Sequence, residues 1–153
     1  MENTLKLKIY MDNCCLARPF DDLTQMIIRN EADAKMYIQS LVKFDSVSLY
    51  SSYMLYFEIS GIPTESNREH ITKFVSDYSA VYIDEEYENE IVPLATEIMD
   101  TGVRRKDSIH LACALIAGCD YLITTDKRML KYKTEKLKVV NPIEFVTMWE
   151  ETT

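Results

Sequence analysis

One stretch constrains the fold more than any other: residues 103–128, VRRKDSIHLACALIAGCDYLITTDKR. Its middle, residues 109–117, is almost wholly apolar, which suits a buried helix and is too short to span a membrane. Gly118 supplies a stop, because glycine reaches the left-handed backbone conformation that ends helices. The following run, residues 120–126, carries Tyr121, Leu122 and Ile123 and reads as a short, fully buried parallel strand. Asp107 falls in the opening turn of the helix, where the dipole favours a carboxylate. Asp126 falls just past the carboxyl end of the strand, where ligands bind in open α/β sheets. A charge at the end of a buried element is costly unless it is paired or used. Two such aspartates point to a metal.

The rest of the chain repeats the alternation. Residues 5–11 (LKLKIYM) predict a first strand ending at Asp12, and residues 18–22 (RPFDD) a turn with Asp21 or Asp22 as helix cap. Residues 23–44 carry helical spacing, and residues 47–50 predict a second strand. Ser51 or Ser52 then caps a helix, YMLYFEISGI, ending near Pro63, in which Glu58 sits among apolar neighbours. Residues 66–80 predict an amphipathic helix, 81–83 a third strand, and 87–101 a helix that tolerates Pro93 only with a kink or a late start. After the central helix and strand come a short helix, a fifth strand (138–140) and a closing helix (142–150). Strands alternating with helices predict an α/β fold, a three-layer α/β/α sandwich around a five-stranded, largely parallel sheet.

Length and composition bound the function. A chain of 153 residues fits a single domain over 1–153, and three glycines and four prolines leave little room for linkers. Its N-terminus lacks the apolar core of a signal peptide and nothing reaches membrane-spanning length, so a cytoplasmic protein with no membrane partner is expected. The four cysteines show no CxxC spacing and are read as small buried hydrophobes rather than zinc ligands or disulfides. The two histidines are too few for a histidine-rich metal site. His110, one turn after Asp107, is read as a satisfied core histidine in preference to a site residue. No GxxxxGK pattern signals a P-loop, and no serine sits on a glycine-rich elbow.

A net charge of −8 argues against generic nucleic-acid binding, but nine of the 17 basic residues lie between Arg104 and Lys138. Arg104, Arg105, Lys106, Lys127 and Arg128 flank Asp107 and Asp126, which makes a phosphate-contacting, substrate-binding rim. The acidic run 84–90 (DEEYENE) lies elsewhere in the chain.

The order of acids, Asp12 after a strand, Glu58 and Asp107 on helices and Asp126 after a strand, resembles that of the PIN-domain family. The segment IYMDNCCL (9–16) is similar to the family's first motif, a hydrophobic strand ending in Asp and a small polar residue. Glu58 matches its helix glutamate. KDSIHLACA (106–114) resembles its third motif, and LITTDKR (122–128) its fourth, including a threonine two residues before the aspartate. Asn13 departs from the Thr or Ser common in the family. The resemblance implies a metal-dependent ribonuclease, often the toxin half of a toxin–antitoxin pair, with RNA as substrate and a small antitoxin protein as partner. A homodimer is compatible with it.

The residues themselves suit that chemistry. Carboxylate oxygens match Mg²⁺ or Mn²⁺, which keep several waters and need few protein ligands besides substrate phosphate. Asp12, Asp107 and Asp126 are expected as metal ligands, and Glu58 as the general base that orients the attacking water. Thr124 is expected to hydrogen-bond and orient a carboxylate, with Asn13 in the same outer shell. Two rivals stand beside this reading. A catalytically silent PIN-like protein-binding module would not require all the acids present. A receiver-like phosphoacceptor regulator would need an adjacent acid pair after the first strand, and Asp12-Asn13 does not supply one.

Overall fold

The structure, a computed structural model, describes residues 6–17 and 25–152. The turn expected at residues 18–22, with its Asp21 or Asp22 cap, lies outside the described residues. The elements follow in order: β1 (Leu7–Met11), α1 (Asn13–Leu16), α2 (Met26–Lys43), β2 (Val47–Ser52), α3 (Tyr53–Ser60) and α4 (Glu65–Tyr78). Then come β3 (Ser79–Ile83), α5 (Glu88–Met99), α6 (Arg105–Ile116), β4 (Tyr121–Ile123), β5 (Lys138–Val140) and α7 (Pro142–Thr152). Single 3₁₀ turns at Glu85–Tyr87 and Met129–Lys131 lead into α5 and towards β5.

All five strands pair in parallel, in the order β3-β2-β1-β4-β5. The chain therefore runs outward from β1 through β2 to β3 and then returns to lay β4 on the other side of β1. That reversal between β1 and β4 is the topological switch point, where loops diverge and leave a crevice at the carboxyl edge.

Strand alternation divides the apolar side chains between two layers. Ile9, Met11, Leu49, Tyr121 and Ile123 pack with α2, α3, α4 and α7. Tyr10, Leu122 and Val139 face the other way, against α5 and α6. This is the three-layer sandwich expected from the alternation. Helix α6 ends as its glycine implies: Gly118 has φ of 74°, its N–H donates to the Leu115 carbonyl, and the Cys119 N–H donates to that of Ala114. Leu111, Ala112, Cys113 and Ala114 are buried, so the apolar run is the helix's core face.

Most boundaries shift by a few residues; β4, for one, is limited to Tyr121–Ile123. Helix α4 ends two residues before the expected 80, because β3 starts at Ser79, where Ser79 Oγ meets Ser51 Oγ of β2 at 2.7 Å. Helix α5 contains Pro93 in its second turn, leaving the Asn89 carbonyl without its intrahelical donor. The four-residue α1 is too short to show a helical period in the sequence; its N-cap is Asp12, whose carboxylate accepts from the Cys15 N–H at 3.0 Å. Among the described residues no helix is long and apolar enough to cross a membrane.

Candidate active site

Asp12 leaves the carboxyl end of β1, and its own N–H donates to the Ile123 carbonyl at the end of β4. Asp126 follows β4 by three residues, so the two aspartates stand on adjacent strands at the switch point. Helix α6 presents Asp107 in its first turn, and α3 presents Glu58 near its end. One side chain feels all of them. The thiol of Cys14, the exposed residue of α1, is pushed up to about 12 by partial loss of solvent and then by the charges of Asp12, Asp126, Glu58 and Asp107. Contacts tie the four expected acids together in pairs: Thr124 joins Asp12 to Asp126, Arg104 joins Asp126 to Asp107, and Glu58 meets His110, one turn after Asp107 on α6.

Asp12 is 2% exposed. Its Oδ2 accepts from the Thr124 hydroxyl at 2.6 Å, while Oδ1 caps α1. Thr124 Oγ1 in turn accepts from the Asp126 N–H at 3.0 Å, so one threonine links the two strand-end aspartates. Burial pushes the Asp12 carboxyl from 3.8 up to about 6, and the hydrogen bonds and His110 only partly offset it. Since the folded pKa is the higher, Asp12 costs stability as pH climbs above its unfolded value, and the cost disappears on acidification. The shift corresponds to about 3 kcal/mol, and Asn would forfeit part of the hydrogen bonding, worth about 1 kcal/mol. In EDTA at pH 7.5, Asp12→Asn is expected to melt a few degrees above wild type, with the gain gone at pH 4. A variant that melts lower at both pH values would show that the buried charge is not the cost.

Asp107 is also buried, and loss of solvent raises its carboxyl above the ordinary range against the pull of Arg104. Arg104 Nε and Nη2 reach Asp107 Oδ2 at 3.2 and 3.1 Å, and Nη2 donates to Asp126 Oδ2 at 2.5 Å. Expected on the rim, Arg104 instead ties two acids together as their counter-ion. Asp126 Oδ1 accepts from the Arg128 N–H at 2.9 Å, an Asx-type turn that fixes its side chain.

Glu58 is held differently. Its Oε1 lies 2.7 Å from His110 Nε2; His110 Nδ1 lies 2.5 Å from the Tyr10 hydroxyl; and that hydroxyl lies 2.6 Å from Ser52 Oγ. An ionised carboxylate only accepts, so Nε2–H donates to Glu58, and in the neutral ring Nδ1 accepts from Tyr10. Ser52 Oγ, which accepts from the Leu55 N–H at 3.2 Å, then donates to Tyr10. His110 is the satisfied core histidine that the sequence suggests, and it also orients a site carboxylate, which the sequence does not reveal. The signal for this is its placement one turn after Asp107, inside the apolar run of α6.

The donors present are hard oxygens, the type Mg²⁺ or Mn²⁺ prefers. Two further oxygens, Asn13 Oδ1 and Thr125 Oγ1, are buried beside Asp12 and Asp126 without a hydrogen-bond partner. Such orphaned acceptors fit a hydrated cation at the ends of β1 and β4. As placed, however, no group of three His, Cys, Asp or Glu side chains among the described residues is arranged to hold a metal. Arg104 neutralises Asp107 and Asp126 and would have to yield to a divalent ion.

The remaining basic residues are exposed. Arg128 joins Lys131, Lys133 and Tyr132 around a cavity of about 500 Å³ floored by Gly102 and Val103. Arg105 and Lys106 border a larger one beside Phe57 and Tyr82. Lys127 stands exposed next to Asp126.

Neither a protein-family model nor a curated protein sequence matches this chain. Solved structures do. A chain of VapBC2 from Rickettsia felis, in a structure bound to a DNA fragment from their promoter, superposes with a TM-score of 0.54 at 14% identity, over 88% of this chain and 98% of that one. A chain of FitAcB from Neisseria gonorrhoeae does so with a TM-score of 0.53 at 13% identity, with the same coverage of both chains. The fold is PIN-like. At such identity the likeness extends to the backbone architecture, and the chemistry rests on this chain's own residues.

Proposed function

We propose that this protein is a metal-dependent endoribonuclease that hydrolyses RNA phosphodiester bonds, the toxin half of a type II toxin–antitoxin pair acting in the cytoplasm. The observation that carries the proposal is the delivery of Asp12, Glu58, Asp107 and Asp126 from four separate elements to one edge of the sheet. Three of these carboxylates have the attributes of used charges. Asp12 and Asp107 are buried, and Glu58 is locked by a buried histidine. Likeness to VapBC2 and FitAcB supports the toxin–antitoxin context and an antitoxin partner.

In this reading Asp12, Asp107 and Asp126 would hold Mg²⁺ or Mn²⁺, which when bound lowers the pKa of a water and neutralises phosphate charge. Thr124 keeps the Asp12 carboxylate pointed at the crevice. Glu58, aimed by His110, accepts a proton from the attacking water. Arg104, released from Asp107 and Asp126, is within reach of the phosphate, as Arg105, Lys106, Lys127 and Arg128 are along the rim.

A fluorogenic single-stranded RNA is expected to be cut in Mn²⁺ and spared in EDTA. Reversal of Arg105, Lys106 and Lys127 together to Glu should weaken RNA binding and flatten its salt dependence, since each lost phosphate contact removes about 0.7 from the slope. Reversal of Lys6, Lys43 and Lys73, exposed lysines elsewhere in the chain, is the comparison. Equal losses in both triple variants would mean that net charge alone matters, and RNA left intact in Mn²⁺ would overturn the nuclease reading.

A further inference from the structure

Helices α3 and α6 border a cavity of about 660 Å³ whose lining includes Tyr56, Phe57, Tyr82, Ile109, Arg105 and Lys106. Its aromatic rings are unusually open, with Phe57 58% and Tyr82 49% exposed. Tyr56 meets Tyr82 edge-on, centroids 5.7 Å apart, which props the Tyr82 ring in place. Lys106 Nζ rides 5.2 Å from the Phe57 centroid. Phe57 is the chain neighbour of Glu58 on α3, and Lys106 that of Asp107 on α6.

We propose that this cavity is a nucleobase subsite: an unpaired base of the single-stranded RNA stacks on Phe57 and Tyr82 while Arg105 and Lys106 hold the phosphate joined to it. The proposal rests on the nuclease reading and adds to it the strand state of the substrate. Aromatic faces accept any base by stacking, and guanidinium and ammonium groups at the rim complement the phosphate. In a chain of net charge −8, a lysine over an aromatic ring with an arginine on the same lining is matched to an anion that carries a flat ring. A paired duplex would keep its bases stacked inside and leave the rings uncovered. Glu85, the acid on the lining, limits the number of phosphates the cavity can take and leaves the base as the better fit.

The test uses the full chain and a fluorescein-labelled single-stranded RNA decamer of mixed sequence, with binding followed by anisotropy in EDTA so that nothing is cut. The double variant Phe57→Ala, Tyr82→Ala should bind at least tenfold more weakly with an unchanged salt slope. A decamer of abasic ribose phosphates should bind wild type about as weakly as the double variant binds RNA. Phe57→Tyr with Tyr82→Phe should restore affinity. Both positions are exposed, and melting curves confirm that the variants fold. Cleavage by wild type in Mn²⁺ is measured alongside. If wild type cuts RNA but the alanine variant binds it equally well, or the abasic strand binds like RNA, the base subsite is overturned and the nuclease reading stands. If wild type neither binds nor cuts RNA, both fall.

Discussion

Asp12→Asn and Asp107→Asn are each expected to lower Mn²⁺-dependent RNA cleavage by about a thousandfold or more, and Glu58→Gln by about a hundredfold or more. Each substitution is nearly isosteric; the two Asn variants remove a charge where a divalent cation would be held, and Glu58→Gln removes the proton acceptor. The loss cannot be ascribed to unfolding in the Asp12 variant, because that variant should melt above wild type in EDTA at pH 7.5, its buried carboxyl having been raised to about 6. Higher stability with lost activity is the signature of a site held at a cost to the fold. Metal should report the same from the other side. At a hundredfold excess over its dissociation constant, Mn²⁺ should stabilise wild type by about 2.7 kcal/mol and the Asn variants by much less. Cleavage rates and melting curves in EDTA and in Mn²⁺, on the same preparations, decide it. Activity equal to wild type in both Asp variants, or equal Mn²⁺ shifts in all proteins, would dismantle the metal site.

The second large effect is on stability and comes from His110. His110→Ala removes a ring that is 1% exposed and bonded at both nitrogens. The alanine leaves a void and strands two partners, the buried Tyr10 hydroxyl with Ser52 alone and Glu58 without its donor. Burial already raises the Tyr10 hydroxyl well above its ordinary pKa, so that hydroxyl cannot escape its loss by ionising. Void and unpaired polar groups together should cost about 3–5 kcal/mol, or roughly 6–20 °C in melting temperature. His110→Gln, which can still donate to one side, should lose less. Tyr10→Phe should cost about 1–3 kcal/mol, because the His110 Nδ1 acceptor is then buried without a donor. If Glu58 acts in catalysis, His110→Ala also lowers kcat more than KM, and its effect is not additive with Glu58→Gln. A His110→Ala protein that melts like wild type would show that the buried chain contributes little.

Asp12 also shows why the pairing of acids needed a physical correction. From sequence, convergence suggests repulsion between like charges as the main perturbation. In the structure, burial raises Asp12 and Asp107 first, and the neighbouring acids act as smaller additions, with Arg104 and His110 pulling the other way. Electrostatics in this crevice is therefore dominated by loss of water.

Sequence alone determined what depends on near neighbours. The spacing of Ile109 to Ala117 set helix α6, Gly118 ended it, and the Asp120–Asp126 stretch set β4 with an acid at its carboxyl end. Alternating strands and helices were enough for the three layers, because period 3.6 and period 2 are properties of the local backbone. The strand order was decided only by the tertiary structure, since whether β4 pairs with β1 or with β3 depends on which packed layers bury the most apolar surface. That order put Asp126 beside Asp12. It also brought Thr124 to Asp12 across 112 residues, Tyr10 to His110 across 100, and Glu58 to His110 across 52. Arg104 moved from an expected rim position to a counter-ion of Asp107 and Asp126 for the same reason: a guanidinium binds the partners that folding places within its reach, and only one of them, three residues away, was visible in the sequence.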